Sequence, residues 1–407
     1  MKIGVIGGGA AGFFSAIQCK LNNPSVHVTI LEKSAKLLAK VKISGGGRCN
    51  VTNIESDREV LAKCYPRGGK QLKKAFREFS TPDTISFFEE RNVPLITQED
   101  GCIFPVSQNS QTIIDCFLEE AHQLGIEIKM QQRISKIKQN SVNNSFEISC
   151  EETTYSFDKV IVCTGGSPKL SGYDWLAELG QPIIPPIPSL FTFNMPKESI
   201  KTLMGIVVPN AITKIQGTKL VASGPLLITH WGMSGPAILV LSAWGARILE
   251  EKKYQFNVSV NWSGITNEED VREKLIEIQN KAENAQLKKF GVFEISQRLW
   301  EFLLNRWGVS SILKWNELGK KNFNRIINGL TNDVYSVSGK TTFKEEFVTA
   351  GGVDLKFIDF KTMQSKCIPN LYFAGEVLDI DGITGGFNFQ AAWTTGYLAG
   401  KGASLRR

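Results

Sequence analysis

The hydrophobic pattern predicts alternating strands and a helix at the start of the chain. An apolar run over Lys2–Ile6 is followed by a glycine-rich turn and by the helix-like sequence FFSAIQCKL. A second apolar run, VHVTILE, ends at Glu32. Short apolar runs next to glycine indicate buried strands, and strands that alternate with helices indicate an α/β domain.

The first glycine turn has the spacing of a dinucleotide-binding loop. Gly7-x-Gly9-x-x-Gly12 follows the strand directly and opens the helix, and Glu32 comes twenty residues after Gly12. In this motif Gly7 makes the tight turn, Gly9 admits a pyrophosphate and Gly12 lets the helix pack closely. The helix N-terminus offers N–H groups to phosphate, and Glu32 can bind ribose hydroxyls. The motif therefore predicts a cofactor of the NAD or FAD type.

Later segments favour FAD. Residues 126–163 contain three strand-like runs, and the pair Gly165-Gly166 follows the last of them. An apolar run over 371–374 leads into Gly375-Glu376, and a glycine turn then precedes a predicted helix over 388–398. A strand, an acid and a helix N-terminus suit a flavin, because its ribityl hydroxyls need an acceptor and its reduced ring gains negative charge.

The middle of the chain reads as a separate part. The proline-rich connector QPIIPPIPSL, at 181–190, is typical of a boundary between compact units. Short strand-like runs follow and indicate a small β-barrel, and residues 267–331 read as helices with Asn267 as a cap.

Composition narrows the class of protein. With 407 residues, 42% of them hydrophobic, the chain can form two domains. The eight cysteines include no Cys-x-x-Cys pair, so neither a zinc cluster nor a dithiol redox pair is indicated, and we expect no metal. No apolar run approaches the ~20 residues that span a bilayer, and we expect a cytoplasmic protein. The net charge of +7 permits an anionic partner, and the sequence predicts no oligomeric state.

Six motifs together resemble the BaiN/RdsA-type flavoproteins, a branch of the glutathione-reductase-like FAD superfamily. They are GGGAAG, SGGGRCNVTN, VIVCTGG, THWGMSGPAIL, VTAGGV and GEVLDIDGITGGFNFQAAW, in chain order. The resemblance implies an α/β fold with a Rossmann-like FAD-binding domain of the glutathione-reductase type. That domain is expected at 1–188 and 343–407, with an insert at 189–342 made of a small β-barrel (189–265) and a helical part (266–342).

The same motifs give the expected cofactor residues. A backbone without Cβ atoms can approach the cofactor closely, and nearby polar side chains can bind its phosphates or its ribityl chain. We expect FAD to contact Gly7, Gly9, Ala10, Ala11, Gly12, Glu32, Lys33, Ser44, Gly45, Gly46, Gly47, Cys49, Asn50, Asn53, Ile134, Thr164, Gly165, Gly166, Gly375, Glu376, Asp381, Gly385, Gly386, Asn388 and Phe389.

Two side chains are candidates for proton transfer. Cys49 follows the triple glycine, where Arg48 and backbone N–H groups could lower its pKa, and it either donates a proton or only lines the flavin. His230 lies between a strand and a helix start, where it either acts as acid or base or caps the helix.

A basic stretch follows the glycine loop. Six cations, Lys63, Arg67, Lys70, Lys73, Lys74 and Arg77, occur with no acid between them, and the last four have the spacing of one helical face. Such a stretch is either a solvated surface or a site for RNA phosphates.

Three functions remain open at this point. Relatives of this type are linked to dihydrouridine formation in large-subunit ribosomal RNA, so the first hypothesis is hydride transfer from reduced FAD to an electron-poor C=C or C=N bond, with NAD(P)H as reductant. The second is an oxidase or dehydrogenase of amines, amino acids or enones. The third is a binding protein in which FAD is only structural.

Overall fold

The computed structural model describes residues 1–140, 142–151, 153–342 and 348–405. The chain divides into a first unit, Met1–Ser189 with Lys344–Arg407, and a second unit, Leu190–Phe343. Residues 343–347, on which the predicted second domain boundary falls, lie outside the described residues.

The first unit contains most of the strands and eight of the helices described. Its strands are β1 Lys2–Ile6, β2 His27–Leu31, β3 Thr52–Asn53, β4 Leu95–Thr97, β5 Cys102–Pro105, β6 Glu127–Lys129, β7 Ile134–Gln139, β8 Phe146–Cys150, β9 Thr154–Phe157, β10 Lys159–Val162, β11 Ile183–Pro188, β19 Thr349–Val353, β20 Ile358–Asp359, β21 Gln364–Ser365 and β22 Leu371–Phe373. Its helices are α1 Ala10–Asn22, α2 Ala39–Gly47, α3 Arg58–Ala62, α4 Gly69–Ala75, α5 Thr81–Glu89, α6 Ser110–Gln123, α7 Asp174–Glu178 and α12 Phe387–Ser404.

A seven-stranded sheet lies at the centre of this unit, in the order β20-β21-β22-β10-β1-β2-β6. The five strands from β22 to β6 are parallel, and most of the paired residues in β1, β2, β10 and β22 are buried apolar side chains. A parallel sheet needs cover on both faces, which explains why β1 and β10 are continuous apolar runs. The predicted first strand, helix and second strand are confirmed.

Both ends of the chain cover this sheet. Helices α1 and α12 pack against each other, and Phe14 and Trp393 bring their ring centroids within 5.5 Å. The predicted C-terminal helix therefore exists, and it extends six residues beyond the predicted end. Smaller sheets β3-β5-β4, β7-β8-β9 and β11-β19 surround the central one.

The described residues of the second unit form one antiparallel sheet and four α-helices. Its strands are β12 Thr192–Asn194, β13 Val207–Ile215, β14 Val221–Ile228, β15 Gly232–Ser234, β16 Gln255–Asn261, β17 Asp333–Ser338 and β18 Lys340–Thr341. Its helices are α8 Pro236–Glu251, α9 Glu268–Lys281, α10 Gln297–Arg306 and α11 Gly319–Asn332. The sheet order is β17-β16-β13-β14-β15-β12-β18.

The predicted division of the insert into a barrel at 189–265 and a helical part at 266–342 is wrong in two respects. Helix α8 lies inside the first part, and strands β17 and β18 come from the second part. Strand β17 pairs with β16 along six residues, with Asp333 opposite Val260. This pairing joins distant parts of the chain, and local hydrophobic patterns carry no information about such partners.

No described helix has the length and the apolar content to cross a membrane.

Candidate functional site

The glycine loop between β1 and α1 has the geometry of its motif. Gly7 has φ +109°, and a Cβ there would lie within 3.0 Å of the Cys163 carbonyl oxygen. A Cβ at Gly12 would lie within 3.0 Å of the Gly7 carbonyl oxygen, whereas one at Gly9 meets no heavy atom within 4 Å. Gly7 and Gly12 are therefore needed for packing, and Gly9 leaves the helix N-terminus open to a ligand.

Glu32 lies beside this loop, at the end of β2. Its Oε2 accepts from Gly8 N at 2.7 Å and its Oε1 accepts from Ser34 N at 2.8 Å. Gln132 N donates to Glu32 O at 2.8 Å, which brings the residues before Ile134 to the same place. A ribose that follows the pyrophosphate would meet this carboxylate.

The C-terminal end of α2, where the backbone leaves helical geometry at Ser44, Gly45 and Gly46, forms a second open backbone. Gly45, Gly46 and Gly47 have φ of +57°, +67° and +84°, in the left-handed region that favours glycine. A Cβ at Gly46 or Gly47 meets nothing within 4 Å. Ser44, a predicted cofactor contact, donates its hydroxyl to Val41 O at 2.9 Å.

Hydrogen bonds tie this loop to the start of α12. Thr52 Oγ1 donates to Gln390 Oε1 at 2.6 Å, and Trp393 Nε1 donates to Val51 O at 2.9 Å. Residues more than 300 positions apart in sequence thus form one wall. The second and the last of the six family motifs are therefore adjacent in space.

The two asparagines of the loop support this wall. Asn53 Nδ2 donates to Gly385 O at 3.1 Å. With the Asn50 amide oriented so that its nitrogen donates to Thr52 O, its oxygen accepts from Gly386 N at 3.1 Å. Both amides have protein backbone as partners, and their contact with the cofactor stays a prediction.

Asn388 and Asp381 also have protein groups as hydrogen-bond partners. Asn388 makes two hydrogen bonds, each of 2.9 Å, with the backbone of Gly382. Asp381 is fully buried, and its carboxylate accepts from Nε and Nη2 of Arg67 and from the Ser189 hydroxyl. Because the partners of both side chains are protein groups, these residues support the 382–386 turn, and their contact with the cofactor stays a prediction.

A third open stretch follows β10. Gly165 has φ +73°, and a Cβ there meets nothing within 4 Å, while Thr164 is exposed. Glu376 lies nearby, since its Oε1 would be 2.9 Å from a Cβ at Gly166. Its Oε2 accepts from Lys40 Nζ at 2.6 Å. Sequence reasoning missed Lys40, because nothing in the local pattern connects it with residue 376.

Further predicted contacts lie around these stretches, and Ala10 and Ala11 begin helix α1. A Cβ at Gly375, which has φ +77°, would lie 2.7 Å from the Cβ of Ala11, so the strand end β22 and helix α1 approach closely. Phe389 is half-buried and stacks on Trp393 with ring centroids 5.5 Å apart. Lys33 is exposed next to Glu32.

Cys49 is a buried thiol at the back of the glycine loop. It is 0% exposed and its φ is +63°. Burial raises the pKa of Cys49 to about 12, so the suggestion that Arg48 lowers it is wrong. Arg48 instead lies over the Phe104 ring, 4.2 Å from its centroid. This environment favours Cys49 as a wall of the site over a reactive thiolate.

We expect iodoacetamide to leave Cys49 unmodified in the native protein at pH 8. With a pKa of about 12, only about one thiol in ten thousand is ionised at that pH, and burial blocks access to it. Cys367 is exposed and serves as the internal control. Peptide mass spectrometry before and after urea denaturation measures both. Comparable labelling of Cys49 and Cys367 in the native protein would contradict the assignment.

His230 belongs to the second unit. It is exposed, in the turn between β14 and β15, and its ring centroid lies 4.4 Å from that of Trp231. Its role as acid or base stays a prediction. Among the residues described, no three His, Cys, Asp or Glu side chains form a metal-binding group.

The residues of the first unit fit a dinucleotide cofactor. Open glycine backbones at 9, 46, 47 and 165 leave room for a ligand, and a Cβ would fill that room. A helix N-terminus suits the phosphates, and the carboxylates of Glu32 and Glu376 suit hydroxyl groups.

Comparisons with known proteins agree with this fold. A family model described as HI0933-like protein Rossmann domain matches residues 1–402. The ribosomal RNA dihydrouridine synthase of Haemophilus influenzae is 30% identical over 403 residues, which are 97% of this chain and 96% of that protein. The 3-dehydro-bile acid delta(4,6)-reductase of Clostridium scindens is 27% identical over 415 residues, covering 100% and 99%. The ribosomal RNA dihydrouridine synthase of Escherichia coli is 28% identical over 403 residues, covering 97% and 95%.

Solved structures support the architecture. The 3-ketosteroid delta1-dehydrogenase of Sterolibacterium denitrificans matches with a TM-score of 0.53 at 11% identity and covers 99% of each chain. The 3-ketosteroid-delta4-(5alpha)-dehydrogenase of Rhodococcus jostii matches with a TM-score of 0.52 at 11% identity and covers 99% of this chain and 96% of that one. At this identity the likeness concerns the fold alone, which is the Rossmann-like fold of FAD-dependent oxidoreductases.

Proposed function

The chain belongs to the HI0933-like flavoprotein family, and on this basis we propose that it is an FAD-dependent reductase of a uridine in ribosomal RNA. The observation that carries the proposal is the full-length similarity to two proteins named ribosomal RNA dihydrouridine synthase. The product would be dihydrouridine, which has two more hydrogen atoms than uridine across its C5=C6 bond.

The chemistry divides between the cofactor and the chain. Bound FAD in its reduced form supplies a hydride to one carbon of the double bond. The protein has to hold the base and deliver a proton to the other carbon. Burial keeps the Cys49 thiol protonated at neutral pH and makes it a weak acid, so we propose water as the proton source. NAD(P)H is the proposed electron donor, and it docks without a glycine fingerprint of its own.

In the structure, two residues of the basic stretch form ion pairs within the protein. Lys70, Lys73 and Lys74 lie on helix α4, which ends at Ala75, and Arg77 follows two residues beyond it. Lys73 pairs with Glu59, and Arg67 pairs with the buried Asp381. Lys70, Lys74 and Arg77 are exposed and form no ion pair with any described residue. These three, which we name the cationic patch, are the proposed contacts to RNA phosphates.

The proposal predicts that deletion of the gene removes one dihydrouridine from ribosomal RNA and that the plasmid-borne gene restores it. In the same strain, replacing the cationic patch with glutamines (K70Q/K74Q/R77Q) should restore less. For purified protein and single-stranded RNA, a plot of the logarithm of the binding constant against the logarithm of the salt concentration has a negative slope. The loss of three phosphate contacts should make this slope less steep by about 2. Mass spectrometry of RNA digests and filter binding at several salt concentrations measure these effects.

A matched control variant distinguishes the loss of the cationic patch from a general change in net charge. Lys356, Lys361 and Lys366 are three exposed lysines elsewhere in the first unit, and K356Q/K361Q/K366Q changes the net charge equally. This control should keep the wild-type salt slope and modification level. An unchanged ribosomal RNA profile after gene deletion would refute the substrate. An equal loss of dihydrouridine and of salt dependence in both triple variants would refute the cationic patch as the RNA contact.

A second candidate function is reduction of a small-molecule enone. It is favoured by the similarity to the bile acid reductase, which covers both chains almost completely. Both relatives' names describe reduction of a carbon–carbon double bond, so the flavin step would be the same. This candidate predicts turnover that does not depend on Lys70, Lys74 and Arg77.

A further inference from the structure

The turn between β14 and β15 carries two exposed aromatic side chains, His230 and Trp231, which we name the aromatic pair. Trp231 is 43% exposed, and its ring centroid lies 4.4 Å from that of His230. Met204 adds a third exposed side chain at the same end of β14, since Gly205 N donates to Ile228 O at 2.9 Å. Single exposed apolar residues are normal, but a group of them marks a surface that a partner covers.

The backbone holds this turn in one conformation. Thr229 N donates to Gly232 O at 2.8 Å, and Gly232 N donates to Thr229 Oγ1 at 3.2 Å. Met195 N donates to Trp231 O at 2.8 Å and ties the turn to the end of β12. A partner therefore meets rings whose backbone is already ordered, so binding costs less conformational entropy.

Three cations lie around the aromatic pair. Lys197 is exposed, follows the strand residue that is bonded to the turn by two positions, and forms no ion pair with any described residue. Lys201 Nζ donates to Pro196 O at 2.8 Å, and Arg298 Nη2 donates to Thr202 O at 2.8 Å. Both acceptors are neutral carbonyls, so these contacts leave the positive charges in place.

The neighbouring segments offer little negative charge. Residues 226–236 contain no acid, and residues 194–206 contain one, Glu198. Both oxygens of Glu198 already have partners, since one accepts from Arg306 Nη1 at 3.0 Å and the other from Ser336 N at 2.9 Å. The surface around the aromatic pair is therefore positively charged.

This combination of groups selects the class of partner. Proteins bind single-stranded nucleic acid with cations that contact phosphates and with aromatic rings that stack on bases. A neutral apolar partner would contact the rings and leave three cations without an anion. Charge complementarity therefore favours RNA over an apolar protein surface or a steroid-like molecule.

Unpaired RNA is also what the proposed reaction requires. A base inside a duplex is stacked and paired, and an enzyme that acts on a base needs it out of the stack. We propose that the aromatic pair stacks on an unpaired base of the RNA, with Trp231 as the main contact and Lys197 and Lys201 at the neighbouring phosphates. The contact positions the RNA and takes no part in the hydride step.

The inference rests on RNA as the substrate of the proposed function, and the two fail in different ways. The dihydrouridine profile after gene deletion tests the substrate, whereas the RNA affinity of the purified protein tests the aromatic pair. An unchanged profile together with a loss of RNA affinity on substitution of Trp231 would refute the substrate and keep the inference.

The test is Trp231→Ala in the full-length protein with FAD bound, and the probe is a short fluorescein-labelled oligouridine. We expect the Kd for this RNA to rise roughly ten-fold, which corresponds to one lost stacking contact. The salt slope should stay unchanged, because stacking releases no counterions. Trp231→Phe keeps an aromatic ring and should bind within about three-fold of wild type. Fluorescence anisotropy at several salt concentrations measures these quantities, and thermal unfolding checks that both variants are folded.

The double variant K197Q/K201Q should show a different pattern. Loss of two phosphate contacts should make the salt slope less steep by about 1.4. A wild-type slope in this variant would overturn the placement of phosphates beside the aromatic pair.

Trp244→Ala is the matched control. Trp244 is 41% exposed and lies in α8 of the same unit, so it has nearly the exposure of Trp231 at a different place. Its loss should leave the Kd for RNA unchanged. Equal losses of affinity in the two alanine variants overturn the inference. So does wild-type affinity in Trp231→Ala, which would assign the aromatic pair to a protein or small-molecule partner, and so does a wild-type protein that fails to bind the oligouridine at low salt.

Discussion

Gly12→Ala is expected to yield little folded protein and no stable FAD complex. Alanine normally stabilises a helix interior by about 1 kcal/mol relative to glycine. Here the new Cβ would lie within 3.0 Å of the Gly7 carbonyl oxygen, which belongs to the rigid turn after β1. Relief of that overlap requires α1 to move away from the sheet and from α12. We expect a loss of about 3 kcal/mol or more, as in overpacked cores.

Gly9→Ala is the matched control, and the two variants should fail in different ways. Gly9 has φ −94°, which any residue can adopt, and its Cβ would meet no heavy atom of the protein within 4 Å. Its apoprotein should therefore melt as wild type does. The methyl group would occupy the space for the pyrophosphate, so the Kd for FAD should rise by at least about ten-fold.

Soluble expression, thermal unfolding and FAD titration of both variants provide the comparison. A Gly12→Ala protein with wild-type stability would disprove close packing at this turn. Wild-type FAD affinity in Gly9→Ala would place the pyrophosphate elsewhere.

The parts of the fold that the sequence predicts well are those in which neighbouring residues determine the structure. Strand β1, helix α1 and strand β2 follow from hydrophobic period and glycine spacing, and α12 follows from its apolar pattern. The sheet of the second unit shows the limit. Strand β17 alternates buried and exposed residues, but its partner β16 lies more than 70 residues earlier in the chain. The helix start predicted after His230 is present as the start of α8, but the predicted barrel at 189–265 did not include that helix.

In the candidate site, too, properties of single residues could be predicted and contacts between distant segments could not. Glycine positions could be predicted, because a missing Cβ is a property of one residue. Partners of polar side chains could not, since Asn53 and Asn388 have the same chemistry whether they face a cofactor or a backbone. The pairing of Arg67 with Asp381 arises only when distant segments meet.

The pair Arg67–Asp381 leads to the second large effect. Asp381→Ala removes the carboxylate that neutralises the Arg67 guanidinium, whose side chain is only 12% exposed. Removal of one partner of a buried ion pair typically costs about 3–5 kcal/mol, because the remaining charge stays out of water. The 382–386 turn next to Asn53 and Asn388 would also lose its anchor. We expect a loss of this size in the free energy of unfolding, and FAD release at lower urea concentration.

Two further variants decide whether the cost comes from the unpaired charge. Lys73→Ala removes an ion pair whose side chains are 41% and 63% exposed, and it should cost about 1 kcal/mol or less. The double variant R67M/D381L replaces both charges with apolar side chains and should recover most of the stability lost in Asp381→Ala, since buried pairs often tolerate such replacement. Urea titrations followed by FAD fluorescence measure all three. If the double variant is as unstable as Asp381→Ala, the carboxylate acts through the turn and Ser189, and the unpaired guanidinium contributes little.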